Sequence, residues 1–212
     1  MARKATGKER LGQPTLTASD WAEAALQLTA EQGLSALTVS ALAARLGVTK
    51  GSFYWHFRGR SELLSAALAR WEQRTTTDAM RGLDAVTDAR RRLELMLDAA
   101  SQPPRSRSLY AALAEAADDP IVRRALHRVA SARIAYLERC YSDLGFPPAL
   151  DKSYAVLAYA AYRGLLQLAH EAPAALPTDW SFYADVSRNA LIPPKIPKRV
   201  ASRRASRRRD TA

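Results

Sequence analysis

One stretch of the chain, residues 38–64, restricts the fold more than any other part of the sequence. It reads TVSALAARLGVTKGSFYWHFRGRSELL. Apolar residues at helical spacing follow Thr38, a residue type that caps helix N-termini, and Gly47 can adopt the left-handed conformation that ends a helix. A second short helix is expected from Lys50 to about His56. Two short helices joined by a glycine-containing turn predict a helix-turn-helix, whose second helix enters the DNA major groove.

The charge of this stretch favours the same interpretation. Residues 38–60 contain four cationic side chains and no Asp or Glu. The alternative is a small helical hairpin with an aromatic core. Tyr54 and Trp55 are adjacent on a short helix and cannot both point into one small core, so at least one should be exposed.

Candidate DNA-binding residues carry small donor, aromatic or cationic side chains, which suit phosphates and base edges. They are Thr17, Thr38, Ser40, Thr49, Lys50, Gly51, Ser52, Tyr54, Trp55, His56 and Arg60. Lys50 is the best candidate donor to guanine. Tyr54 and His56 are expected to hold phosphates.

An ordered set of short motifs runs from Leu16 to Leu64. It comprises Trp21, Ala24, Ala25 and Leu28 before Gly33, then Leu37-Thr38-Val39, Leu42-Ala43, Leu46-Gly47-Val48, Lys50-Gly51, Phe53-Tyr54-Trp55-His56-Phe57 and Glu62-Leu63-Leu64. In order and spacing it resembles the DNA-binding domain of the TetR family of bacterial transcriptional regulators. Ser52 and Gly59-Arg60 depart from the commoner Thr and Ser/Asn-Lys. The resemblance implies an operator-binding protein with a small-molecule effector.

Composition predicts an all-α protein. Of 212 residues 48% are hydrophobic, Ala and Leu are abundant, and long β-branched runs are absent. We expect about nine helices, in an N-terminal three-helix helix-turn-helix domain and a C-terminal helical ligand-binding and dimerisation domain. The predicted divisions are a disordered basic arm (1–15), the DNA-binding domain (16–62), the effector-binding and dimerisation domain (63–192) and a disordered basic tail (193–212).

Start and stop residues place the helices after the helix-turn-helix. Asp119-Pro120 is the clearest start, with an N-cap followed by proline at the first helical position. The expected helices span residues 60–79, 88–100, 106–117, 120–144, 148–171 and 179–191.

The net charge of +11 is concentrated at the two ends of the chain. Residues 1–14 carry +3 and residues 193–212 carry +7, which leaves +1 for the body. Such basic tails commonly bind nucleic acid without sequence preference. The alternative is that they only keep the protein in solution.

Several classes of site find no support in the sequence. The three histidines are scattered, and neither a zinc-type Cys/His spacing nor a Gly-rich phosphate loop occurs. We therefore expect no metal, no cofactor and no enzymatic activity. Cys140, the single cysteine, and the lack of a long apolar run favour a soluble cytoplasmic protein without a membrane partner.

The second domain contains polarizable side chains that could surround an effector between helices. They are Trp71, Met96, Tyr110, His127, Tyr136, Cys140, Tyr159 and Tyr162. Ordinary packing is the alternative for each of them, and the chemistry of the effector is left open.

The last two long helices are expected to form a homodimer interface, because one recognition helix reads too few base pairs for useful specificity. The candidate interface residues are Leu157, Ala158, Ala161, Leu165, Leu168, Trp180 and Tyr183.

These observations together favour a homodimeric, ligand-responsive transcriptional regulator that represses by binding operator DNA. Two alternatives remain open. One is an architectural DNA-binding protein of low specificity, and the other is a helical ligand-binding or enzymatic protein without DNA function.

Overall fold

The computed structural model describes residues 16–103 and 109–194, and in these ranges it contains nine helices and no strand. This confirms the all-α class. In chain order they are α1 (Ala18–Gln32), α2 (Val39–Leu46), α3 (Lys50–Tyr54), α4 (Arg60–Glu72, Gln73–Thr77 and Asp78–Asp84 in direct succession), α5 (Ala89–Ala100), α6 (Leu109–Glu115), α7 (Pro120–Asp143), α8 (Leu150–Glu171) and α9 (Trp180–Leu191).

Helix starts coincide with capping residues, among them the predicted Thr38 and Asp119. Thr17 and Asp20 form a reciprocal capping box, in which the Thr17 amide donates to the Asp20 carboxylate at 2.7 Å. The Thr38 hydroxyl accepts from the Ala41 amide at 3.1 Å. Asp119 and Asp179 cap α7 and α9 through their carboxylates. Side-chain acceptors for otherwise unpaired amides therefore define these boundaries.

Some boundaries differ from the prediction. Helix α3 ends at Tyr54, because the His56 and Phe57 amides both turn back to the Phe53 carbonyl. Thr49 is at its N-cap position but makes no capping bond with its side chain. Helix α8 begins at Leu150, directly after Ala149, whose φ of 73° is incompatible with a right-handed helix.

Three predicted regions lie partly or wholly outside the described residues. These are the N-terminal arm (1–15), the start of the helix expected from residue 106, and the tail from residue 195 onward.

Helix α4 is longer than predicted, because a π-helical turn, Gln73–Thr77, carries it on to Asp84. The turn contains three successive threonines, whose branched side chains are stiff in a helix. The Thr75 hydroxyl donates to the Trp71 carbonyl at 2.8 Å. Single π-helical turns inside α-helices are frequent at functional sites.

Two hydrophobic clusters organise the helices. The first unites α1–α4 with α6 and the N-terminal half of α7, and it includes Trp21, Phe53 and Val122. The second unites α5, the C-terminal half of α7, α8 and α9 around Cys140 and Tyr141. Because α7 contributes to both clusters, the helix-turn-helix packs directly against the helices that follow it.

Surface ion pairs connect α4 to its neighbours. Glu23 of α1 accepts from Arg70 and Arg74, and Arg128 of α7 donates to Glu72 at 2.8 Å. Helix α4 is thus attached both to the N-terminal helices and to α7. No helix in the described ranges has both the length and the hydropathy needed to cross a bilayer.

Candidate nucleic-acid interface and internal cavity

The corner between α2 and α3 depends on Gly47. Its φ of 67° and ψ of 29° lie in the left-handed region, where a Cβ atom is strained. The Val48 amide then bonds to the Ala43 carbonyl at 3.0 Å, which closes the helix end. Phe53 of α3 is fully buried and meets the edge of Trp21 at 5.4 Å between ring centroids. Helix α3 is therefore held against α1 by its inner aromatic side chain.

The outer side of α3 presents aromatic rings to solvent. Tyr54 is 63% exposed and Trp55 is 88% exposed. The sequence predicted that at least one of the two would be exposed, and both are. Large exposed rings are unfavourable in water unless a partner covers them, so this surface has the character of a binding site.

The structure places most predicted DNA-binding residues at the surface around α2 and α3. Ser40, Thr49, Lys50 and Gly51 are exposed, and Ser52 and His56 are half-buried. Thr17 and Thr38 are exposed, but their hydroxyls already serve in helix caps. DNA contact by these residues stays a prediction.

Arg60 differs from the other candidate residues. Its guanidinium points inward and donates to the Leu37 carbonyl at 2.9 Å and to the Leu34 carbonyl at 3.1 Å. It also lies 3.9 Å from the Asp119 carboxylate. Arg60 therefore supports the start of α4 through Nε and Nη2, and its contact with DNA stays a prediction.

The cations of this segment therefore differ in availability. Arg45 forms a bidentate pair with Glu31, at 2.6 and 2.8 Å. Lys50 and Arg58 are exposed at α3 and just beyond it. The positive charge offered to a phosphate is thus concentrated near α3.

A cavity of about 400 Å³ lies between α4, α5, α7 and α8. Its size falls in the range of small-molecule sites, about 300–1,000 Å³. The lining residues are Thr75, Thr76, Ala79, Met80, Leu83, Leu95, Met96, Leu97, Ala99, Ala100, Arg133, Leu137, Ala158, Tyr159 and Tyr162. The cavity is therefore mainly apolar, with polar groups contributed by α4, α7 and α8.

Three of the eight predicted pocket residues, Met96, Tyr159 and Tyr162, line this cavity. The other five do not line it. Trp71 and Tyr110 pack together in the first core, Tyr136 donates to Asp84, Cys140 is buried in the second core, and His127 is exposed. Helical spacing identified inward-facing residues without distinguishing a cavity wall from a packed core.

The prediction missed the polar part of the cavity. Arg133 donates from Nε to the Thr76 hydroxyl at 3.2 Å and from Nη2 to the Thr75 carbonyl at 2.9 Å. In the sequence, the indication that Arg133 faces inward was its place within the apolar stripe of α7. The threonines could not be found in this way, because the π-helical turn changes which residues of α4 face inward.

Cys140 is expected to resist alkylation in the folded protein. Burial raises the pKa of its thiol, and the thiolate is the reactive species. Treatment with iodoacetamide followed by intact-mass measurement should show negligible labelling under native conditions and full labelling in guanidinium chloride. Rapid native labelling would contradict the buried position.

An exposed apolar face lies on α8 and α9. It contains Val156, Leu157 and Leu168 of α8 together with Phe182 and Val186 of α9. This face includes two of the predicted interface residues, Leu157 and Leu168, and Ala161 is exposed on the same helix.

The remaining predicted interface residues lie elsewhere. Ala158 and Leu165 are 4% and 6% exposed, because they face the interior of their own protomer, and this corrects their assignment. Trp180 and Tyr183 are half-buried and pack edge to face against each other at 5.8 Å. Successive residues of a helix point about 100° apart, so Leu157 faces outward while its neighbour Ala158 faces the core.

In the described residues, no cluster of three or more His, Cys, Asp or Glu side chains could hold a metal ion. A comparison with known families concerns the helix-turn-helix. Residues 22–67 match the model of the bacterial regulatory proteins of the tetR family.

The chain thus carries a DNA-binding segment that matches the TetR family. It is 36% identical over 81 residues to the HTH-type transcriptional regulator SrpR of Pseudomonas putida, an alignment that covers 38% of each protein. The chain therefore spans well under two thirds of that relative.

Solved structures resemble this chain over most of its length. A transcriptional regulator from Rhodococcus has a TM-score of 0.68 at 22% identity, covering 84% of this chain and 96% of its own. The SmeT–triclosan complex has a TM-score of 0.61 at 22% identity, covering 90% of this chain and 100% of its own. At these identities the likeness concerns the fold.

Proposed function

We propose that this chain is a sequence-specific, DNA-binding transcriptional repressor that works as a homodimer and is released from its operator by a small-molecule effector. The proposal assigns it no catalytic step and a cytoplasmic location, where its DNA would be. The helix-turn-helix binds the operator, the α8–α9 face binds a second copy, and the internal cavity binds the effector.

The distribution of exposed hydrophobic side chains carries the proposal. Seven large hydrophobic residues are exposed in the described ranges. Two of them, Tyr54 and Trp55, lie at α3, and the other five lie on α8 and α9. Two separate surfaces thus need partners of different kinds.

The surface at α3 suits DNA, because hydroxyl, amide and cationic groups surround the two exposed rings. Thr49 and Lys50 begin the helix, and N-terminal residues of a recognition helix contact base edges. Tyr54 can donate its hydroxyl to a phosphate while its ring covers sugar atoms. Polar groups that read DNA and rings that exclude water therefore occur together.

The α8–α9 face suits a second copy of the chain. Leu157, Ala161, Gly164 and Leu168 recur at helical spacing, and a Cβ added at Gly164 would meet no atom within 4 Å. Small residues between leucines allow two helices to approach closely. Phe182 and Val186, four residues apart on α9, extend the apolar surface. A twofold axis here would present two recognition helices to one operator.

The cavity suits an effector because π-turn residues of α4 form part of its wall. Helix α4 begins beside the helix-turn-helix and packs against α1 and α7. A ligand that binds one arrangement of α4 more tightly shifts the population toward it, and operator binding must weaken ligand binding by the same factor. The solved SmeT structure contains triclosan, which supports a ligand-binding role for this fold.

Lys50→Ala is expected to weaken operator binding by about 1–3 kcal/mol if the ammonium reads a base, with relaxed preference at one operator position. If it contacts a phosphate, affinity should fall on all sequences and the salt slope should decrease by about 0.9. Fluorescence anisotropy over a salt series separates these outcomes. Lys152→Ala, at the exposed start of α8, removes the same charge as a control. Equal affinities for all three proteins would refute the assignment of Lys50.

Selection of bound DNA from a random pool tests the function itself. A repressor dimer should enrich a palindrome with half-sites separated by one helical turn or a multiple of it. A flat profile would indicate an architectural protein, and no recovered DNA would indicate a ligand-binding protein without DNA function.

A further inference from the structure

The cavity contains a positive charge that its own walls do not balance. Arg133 is the charged residue in the lining, which otherwise consists of apolar, threonine and tyrosine side chains. Within residues 16–103 and 109–194, no carboxylate forms an ion pair with this guanidinium. Its hydrogen bonds to Thr75 and Thr76 use Nε and Nη2. A half-buried cation facing a cavity is most favourable when an anion shares the space.

The polar groups of the cavity form one connected cluster. The Arg133 guanidinium lies 5.7 Å from the centroid of the Tyr162 ring, and the rings of Tyr159 and Tyr162 are 6.3 Å apart. The lining contributed by α5 is apolar, and it includes Leu95, Met96 and Ala99. The walls therefore match a molecule with one acidic group and an apolar body.

A second guanidinium beside this cluster increases its positive potential. Arg163 of α8 lies 4.0 Å from the centroid of Tyr110, whose hydroxyl is 3.1 Å from that of Tyr159. The Arg163 Nε is buried without a hydrogen-bond partner, and the residue forms no ion pair in the described part of the chain. Two cations without carboxylate partners thus flank the tyrosines.

We propose that the cavity binds an apolar organic anion whose acidic group pairs with Arg133. This inference names the chemical class of the effector and rests on the proposed function for its regulatory meaning. A charged hydrogen bond in a largely apolar site is strong, whereas the neutral analogue of the same ligand leaves the guanidinium without an anion. Selectivity for the acid therefore resides in one side chain.

The same pairing reaches the π-helical turn of α4. A carboxylate at Arg133 competes with the Thr75 carbonyl and the Thr76 hydroxyl for the guanidinium N–H groups. Both acceptors belong to the turn that divides α4. If Arg133 leaves these acceptors, α4 loses this contact with α7 at its π-helical turn. The geometry of α4, which adjoins the DNA-binding surface, then changes. Arg133 thus recognises the ligand and transmits its binding.

Calorimetric titration of the full chain with naphthalene-2-carboxylate and naphthalene-2-carboxamide tests the inference. The two probes share a shape and differ in charge. The wild type should bind the carboxylate roughly 10- to 100-fold more tightly, as expected for a hydrogen bond to a charged group. Equal affinity, preference for the amide, or no binding of either probe at millimolar concentration overturns the proposal. This comparison needs no variant.

Arg133→Gln should abolish the preference while leaving amide binding within about threefold of the wild type. Arg139→Gln is the matched control, since this exposed cation on α7 pairs with Asp84 outside the cavity. The control should keep the preference. If Arg133→Gln retains the preference, the assignment of Arg133 is overturned. Arg133→Lys, which keeps the charge, should show part of the wild-type preference for the carboxylate.

Operator binding separates this inference from the proposed function. The carboxylate should weaken operator binding by the wild type and have no effect on Arg133→Gln. A chain that binds no operator but still prefers the carboxylate disproves the proposed function and supports the ligand class. A chain that binds operator but shows no preference between the probes supports the proposed function and disproves the ligand class.

Discussion

Replacement of Phe53 by alanine is expected to lower the free energy of unfolding by about 3–5 kcal/mol, as is usual for loss of a buried phenylalanine. Phe53 is fully buried and contacts the rings of Trp21 and Phe57 at 5.4 and 5.6 Å. Because α3 has only five residues, it depends on this side chain for its position. Chemical denaturation followed by tryptophan fluorescence measures the loss.

Trp55→Ala is the matched comparison, two residues away on the opposite side. Its ring is 88% exposed, so its removal should change the free energy of unfolding by less than about 0.5 kcal/mol. Operator affinity should nevertheless fall. If Trp55→Ala destabilised the protein as much as Phe53→Ala, the orientation of α3 would be incorrect.

Glutamate at both Leu157 and Leu168 is expected to convert a dimer into a monomer. The two leucines are 54% and 44% exposed in the isolated chain and lie three turns apart on one face. A twofold interface would bury four carboxylates in an apolar surface, at a cost of several kcal/mol. Sedimentation equilibrium should show a dissociation constant more than 100-fold weaker. Operator affinity should fall by about 10²–10⁴, because the second half-site contact becomes intermolecular.

Ala135→Glu provides the control for this double variant. Ala135 is exposed on α7, and the substitution adds a carboxylate to a helix surface outside the α8–α9 face. It should leave dimerisation and operator affinity unchanged. Leu165→Glu would be a poor choice, because Leu165 is buried within the protomer and its replacement would unfold the chain. A double variant that stayed dimeric would exclude this face as the interface.

The sequence by itself determined the helices whose ends depend on local chemistry. Thr17, Thr38, Asp119 and Asp179 offer side-chain acceptors to the first amides of a helix, and Gly47 supplies a left-handed residue. These are interactions between residues within four positions of each other. A linear pattern therefore contains the information needed to place them.

The candidate recognition surface was also largely visible in the sequence. The short spacing between Gly47 and Phe57 allows few ways to bury Phe53 and Phe57 together, and both are buried. Their neighbours Tyr54 and Trp55 then face outward by helical geometry. The inward hydrogen bonds of Arg60 were not visible, because its two backbone acceptors lie 23 and 26 residues earlier in the chain.

Only the tertiary structure decided where the cavity lies and which side of α8 stays open. Periodicity identifies the inward residues of a helix, but it does not state whether a neighbouring helix fills the space they face. Tyr110 packs against Trp71, whereas Tyr159 and Tyr162 border a cavity, although all three are tyrosines on inward-facing positions. The π-helical turn of α4 rotates Thr75 and Thr76 into the wall, and Arg133 of α7 bonds to both. That contact joins residues nearly sixty positions apart, so it follows from packing between helices, which no local pattern encodes.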